Sequence, residues 1–273
     1  MKKIIFACDG KNMPKGAIEF IKQLQQEEPV FLTGAFLHPM NFEVLIPAVF
    51  AMTAMPAIEM MDEDQTQFKH SIREFRDICE RNTIEYTVHE ESDQWRMEDL
   101  AKESRFADLM VMSEELFCTN INASEPNAFM QEAIHKAECP VMLFPESYKP
   151  FNRLIIAYDG KKESMFAVKE FCNLFPAFTN METKIVYAKN EDNDEIPDMA
   201  LLEEFAGRHF SNLTIQKDYF NPKTHFNIWP NEYRNALIIC GSFGRGGFSN
   251  FIKKSFAENT IRDHSNPLFI AHA

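Results

Sequence analysis

The chain states one phrase twice. Ile4-Ile-Phe-Ala-Cys-Asp-Gly10 and Leu154-Ile-Ile-Ala-Tyr-Asp-Gly160 are each an apolar run closed by Asp-Gly. A helical pattern follows each, Lys15 to Gln25 and Glu163 to Leu174. Two later phrases also pair: Ala107-Asp-Leu-Met-Val-Met-Ser113 with Ala236-Leu-Ile-Ile-Cys-Gly241, and Cys139-Pro-Val-Met-Leu-Phe144 with Asn266-Pro-Leu-Phe-Ile-Ala271. Repetition constrains the fold more than any local propensity, because both copies must build the same unit. The copies differ in length: Asp9 and Asp159 are 150 positions apart, Pro140 and Pro267 only 127, so the second copy is 23 residues shorter. The first carries an apolar insert, Met40 to Met61, and a full helix, Met97 to Arg105, where the second has a proline-interrupted stretch, Asn221 to Tyr233.

Each copy reads as alternating strands and helices. The first places strands near Lys3–Cys8, Val30–Phe36, Glu85–His89, Asp108–Met112 and Val141–Phe144. The second places them near Arg153–Tyr158, Lys184–Ala188, Leu213–Tyr219, Ala236–Cys240 and Leu268–His272. Runs apolar on both faces suit strands of a helix-covered parallel sheet. Right-handed crossovers then give a doubly wound sheet, with ligands beyond the carboxyl ends of the strands. The expectation is α/β: two tandem doubly wound parallel five-stranded sheets with helices on both faces. The first unit spans 1–146 and the second 152–273. A linker near Glu146 to Asn152, with Pro145 and Pro150 beside it, separates them.

Chemistry concentrates after the strand Ala236–Cys240, where Gly241-Ser-Phe-Gly-Arg-Gly-Gly-Phe-Ser-Asn250 carries four glycines ahead of a helical pattern. Glycine lets backbone N–H groups approach a ligand with no Cβ in the way, and a helix start adds unpaired donors and a positive dipole end. The spacing is neither a Walker loop nor a clean dinucleotide fingerprint. A glycine-rich turn that only reverses the chain is the competing reading.

This segment resembles the C-terminal motif of the universal stress protein family: Gly, two residues, Gly, nine residues, then Gly and Ser or Thr. Gly241 and Gly244 match the first pair, and Ser255 matches the serine; Lys254 stands where the family has glycine. The ending Asn266 to Ala271 resembles the family's last strand, and the likeness runs through nearly the whole chain in two copies. It implies the adenine-nucleotide alpha-hydrolase type of fold and ATP or AMP as ligand, with none required. It also implies an internal pseudo-dimer in which the last strands of the two sheets meet; a further homodimer is left open. The residues it carries over are Asp159 and Ala188 at the adenosine end, and Gly241, Ser242, Gly244, Arg245, Ser249, Lys254 and Ser255 at the phosphates. Asp159 also suits a plain turn or helix cap, and Ser249 a plain N-cap. Lys254 brings a bulky stem to a place of close backbone approach, yet its ammonium answers phosphate charge. The first copy has Ser113-Glu114-Glu115 in place of the glycine loop, and two carboxylates repel an anion. No nucleotide is expected there, which leaves Asp9 structural.

Composition excludes other classes. A net charge of −13 argues against nucleic acid and anionic membranes as partners. The Met40 to Met61 segment contains Pro47, Pro56, Glu43 and Glu59, which makes it a poor membrane span. Its methionines suit either an adaptable binding surface or, preferred here, a helix packed on its own domain or across the interface. Six scattered cysteines without a Cys-x-x-Cys fit a reducing cytoplasm, and eight scattered histidines give no metal-ligand spacing. No nucleophile elbow or metalloprotease helix occurs. The expectation is therefore a non-catalytic, cytoplasmic stress-response protein with protein clients unknown. An interaction scaffold with decayed sites and a slow ATP hydrolase stay open as alternatives.

Overall fold

The computed structural model describes residues 1–8, 13–36, 54–89, 97–113, 128–145, 149–189, 195–219, 235–241 and 266–271. Of these, 54–65, 128–131, 188–189 and 218–219 are described by their backbone alone. In the first half, β1 (Lys2–Cys8), α1 (Lys15–Glu27), β2 (Val30–Phe36), α2 (Ala54–Arg81), β3 (Glu85–Val88), α3 (Met97–Ser104), β4 (Leu109–Ser113), α4 (Ala128–Lys136) and β5 (Val141–Phe144) follow one another. The second half holds β6 (Arg153–Tyr158), α5 (Lys162–Leu174), a short 3₁₀ helix (Pro176–Asn180), β7 (Glu182–Lys189), α6 (Met199–His209), β8 (Asn212–Tyr219), β9 (Ala236–Gly241) and β10 (Leu268–Ala271).

The ten strands of the described residues form one sheet in the order β3-β2-β1-β4-β5-β10-β9-β6-β7-β8. Within each half every pairing is parallel. Among the described residues the one antiparallel pairing is at the centre, where Leu268, Phe269 and Ile270 face Leu143, Met142 and Val141. The strand order reads as a mirror list about this junction, which is the signature of a two-fold relation between the halves. The two expected sheets are thus one, and the last strands of the two copies do meet.

Strand period 2 sorts the apolar residues between the faces. Ile4, Phe6 and Cys8 of β1 point into one cluster, and Ile5 and Ala7 into the other. The first cluster lies beneath α1, α2, α5 and α6, the second beneath α3 and α4. Helix α1 buries Ala17, Ile18, Phe20, Ile21 and Leu24, one stripe at helical spacing. It ends because Glu28 precedes Pro29: Glu28 adopts extended angles, which a following proline favours.

The first cluster crosses the junction. Phe20 of α1 sits 4.9 Å from Phe144 of its own half. It also sits 5.9 Å from Phe175 and 6.4 Å from both Phe151 and Phe178, all beyond residue 150. Phe269, opposite Met142 on the central pair, continues the group to Phe171 and Phe175 at 5.4 and 6.2 Å. Lys2 of β1 pairs with Glu28 and holds its ammonium 5.9 Å from the Phe175 ring. The stretch expected to act as a linker therefore delivers a buried anchor: Phe151 is 5% exposed and lies 5.3 Å from Phe178. The Met40 to Met61 insert lies in part outside the described residues; its end, from Ala54, is the start of α2.

Phe20 is fully buried among rings of both halves, so Phe20→Ala removes contacts on both sides of the junction. The expected loss is about 3–5 kcal/mol. Urea unfolding followed by circular dichroism should show one transition at lower midpoint. Two separated transitions, or a loss under ~1 kcal/mol, would contradict the shared core.

Candidate functional site

The second half places its candidates at the carboxyl edge of three neighbouring strands. β6 is flanked by β9 and β7, with Ala157 opposite Cys240 and Tyr158 opposite Tyr187. Asp159 follows the end of β6, Gly241 ends β9, and Ala188 stands one residue from the end of β7. In the sheet β7 and β8 lie on one side of β6, and β9 and β10 on its other side. The crevice between β6 and β9 is therefore the switch point where doubly wound sheets receive ligands.

The turn after β6 is built from its own residues. Gly160 has φ of +77°, a conformation only glycine adopts without strain. Asp159 accepts the Lys161 backbone N–H on Oδ1 at 3.0 Å, and its Oδ2 is 3.5 Å from the Lys161 ammonium. Its carboxylate stays 45% exposed. The turn role read from Asp-Gly is thus present in the structure, and the half-open carboxylate leaves acceptor capacity toward solvent.

A segment from further along the chain lies on this turn. The ring of Pro197 occupies the space a Cβ on Gly160 would need: Cγ would be 2.7 Å from it. The buried Tyr158 donates its hydroxyl to the Pro197 carbonyl at 3.0 Å. Burial first, and then the carboxylates of Asp198 and Asp159, hold the Tyr158 phenol above its ordinary value, so it stays the protonated donor this bond requires. Sequence reasoning missed this contact. The partners are 39 positions apart and no motif spacing announces them.

Gly241 answers to packing. A Cβ there would lie 2.5 Å from the Glu163 carbonyl oxygen and 2.6 Å from the Ser164 nitrogen, both backbone atoms of the first turn of α5. The amino end of α5 is pressed onto the end of β9, and only glycine allows it. Ser164, itself buried, secures that turn by donating to the Lys161 carbonyl at 2.8 Å. The same glycine that matches the motif is thus required by the fold.

The remaining candidates Ser242, Gly244, Arg245, Ser249, Lys254 and Ser255 lie outside the described residues, as do Asp9, Glu114 and Glu115. In the first half Ser113 ends β4 and is buried. Among the described residues no three metal-ligating side chains cluster, and no helix is long and apolar enough to cross a membrane. The thiols of Cys8, Cys79, Cys139, Cys172 and Cys240 are all buried. Burial pushes the Cys79, Cys139 and Cys240 thiols up to about 12, which keeps them protonated and unreactive at neutral pH.

Three comparisons bear on this arrangement. No family model matches the sequence, and no curated protein does. Solved structures do match in shape. A universal stress protein from Archaeoglobus fulgidus is 17% identical at TM-score 0.70, and the match covers 99% of this chain and 96% of that one. A candidate universal stress protein from Pseudomonas aeruginosa is 12% identical at TM-score 0.52, over 100% and 93% of the two chains. A P. aeruginosa protein of unknown function is 12% identical at the same score, over 100% and 92%. The fold of this chain is that of the universal stress proteins.

Gly241→Ala sets a methyl group against backbone that cannot turn aside, so overpacking of at least about 2 kcal/mol is expected. Differential scanning calorimetry checks it. An unchanged midpoint would mean that α5 does not seat on β9 as described.

Proposed function

We propose that this protein is a non-catalytic, universal-stress-type protein that binds an adenine nucleotide, ATP or AMP, in its second half alone. One observation carries the reading: Asp159, Gly241 and Ala188 converge on one carboxyl edge, at the switch point between β6 and β9, beside the amino end of α5. A helix start supplies unpaired N–H donors and a favourable dipole for an anion. In sequence, the glycine loop that follows Gly241 continues from this same edge, whereas the first half follows Ser113 with Glu114 and Glu115. The antiparallel junction turns the carboxyl edges of the two halves to opposite ends of the sheet. A ligand at one carboxyl edge therefore takes no carboxyl-end strand residue from the other half.

The second reading is an interaction scaffold whose ligand sites have decayed. The packing of Gly241 on α5 favours it, because that glycine is explained without a ligand.

Calorimetric titration of ATP and AMP separates the two. The nucleotide reading expects one site per chain, and a loss of at least tenfold in affinity in Gly244→Asp, where a carboxylate enters the loop. Equal affinity in both proteins, or no binding by the wild type, favours the scaffold.

Lys254 occupies the motif's third glycine position. Lys254→Gly is expected to tighten ATP binding by removing a bulky stem from a place of close backbone approach. Weaker binding in the same titration would instead make the lysine a phosphate ligand.

A further inference from the structure

The segment Glu195–Asp198 runs between β7 and α6 and crosses the turn that carries Asp159. Three features fasten it. Ile196 packs against the main core. The Pro197 ring lies on Gly160, whose missing Cβ makes room for it. The Pro197 carbonyl accepts the Tyr158 hydroxyl at 3.0 Å. Asp198 then turns with φ of +52°, and its carbonyl accepts the Leu202 N–H at 2.9 Å to begin α6. The Tyr158 ring is itself fixed, 4% exposed and 6.4 Å from the Tyr187 ring on the neighbouring strand. Only its hydroxyl is spent on the strap.

The strap meets the turn at Gly160, one residue from Asp159 and at the start of the loop into α5. Whatever binds at Asp159 meets a turn whose shape Pro197 sets. We infer that Tyr158 is a positioning residue for ligand binding in the second half: its hydroxyl clamps the Glu195–Asp198 strap onto Gly160, and this holds the Asp159 carboxylate in its binding geometry. The inference rests on the nucleotide reading above. It goes beyond that reading in giving a buried tyrosine, and a strap distant in sequence, control over the site. A net hydrogen bond of this kind is worth about 0.5–1.5 kcal/mol. If that energy fixes the turn, losing it costs about two- to tenfold in affinity.

The test uses the full chain and three proteins: wild type, Tyr158→Phe and Pro197→Ala. The first substitution keeps the ring and removes the donor. The second keeps the carbonyl and removes the ring at a half-buried position, so it reports even where Tyr158→Phe folds poorly. Amide hydrogen exchange is followed at Lys161, Ile196 and Asp198, and ATP affinity is measured on the same samples. The expected result is faster exchange at the strap and at Lys161 in both variants. ATP binding should weaken two- to tenfold while the exchange of β6 and α5 core amides stays as in the wild type. Unchanged exchange at the strap and Lys161 overturns the clamp. Faster exchange with unchanged ATP affinity overturns the positioning role and leaves a purely structural fastening. A wild type that binds neither ATP nor AMP overturns the nucleotide reading and the positioning role together; the exchange data then distinguish that failure from a failure of the clamp.

Discussion

The structure depends on three residue pairs. Leu268, Phe269 and Ile270 lie antiparallel to Leu143, Met142 and Val141, and this short ladder turns two five-stranded sheets into one. So few backbone bonds would hold little alone. They hold because side chains close over both faces. Met142 and Phe269 face the phenylalanine group around Phe20 and Phe175. Val141, Leu143, Leu268 and Ile270 face the cluster under α3 and α4. Each half hides its terminal strand edge by using the other's, which removes an exposed apolar edge from both.

The same junction fixes the geometry of function. Parallel strands within each half put all its loops of interest at one edge, and the antiparallel seam sends the two edges apart. The copies are therefore free to diverge. The second can keep a glycine loop while the first carries Glu114 and Glu115 at the matching place, with no carboxyl-end strand residue shared between them. Phe20 touches rings on both sides of the junction, so the two halves share one core there.

Within the second half, the site edge is under more packing constraint than a ligand pocket needs. Gly241 admits the first turn of α5, and Gly160 admits Pro197. Gly241 also sits where a ligand-based reading wants it, and Gly160 adjoins Asp159. Fold and ligand requirements coincide at such positions, since a tight strand-to-helix turn is what brings backbone donors to the edge in the first place. A glycine in this motif is accordingly weaker evidence for a ligand than its spacing suggests. The convergence of three strand ends is stronger.

The sequence alone determined the alternating α/β unit of each copy, but not that the two sheets join into one. Duplicated phrases ending in Asp-Gly named the first strand of each copy, doubly apolar runs named a covered parallel sheet, and β2, β5 and β6 begin and end where their runs do. These features are legible because they are local, and because two copies of one unit corroborate each other. Asp159 as a turn residue was legible for the same reason: Asx chemistry acts over two positions. The tertiary structure alone decided the rest. That Phe151 is a core anchor and not a free linker follows from rings in both halves that meet only after folding. That Gly241 serves α5, and that Tyr158 reaches Pro197 across 39 positions, follows from helix and loop placement no spacing rule encodes. Periodicity reports which side of an element is buried; it carries no information about which distant residue arrives to bury it.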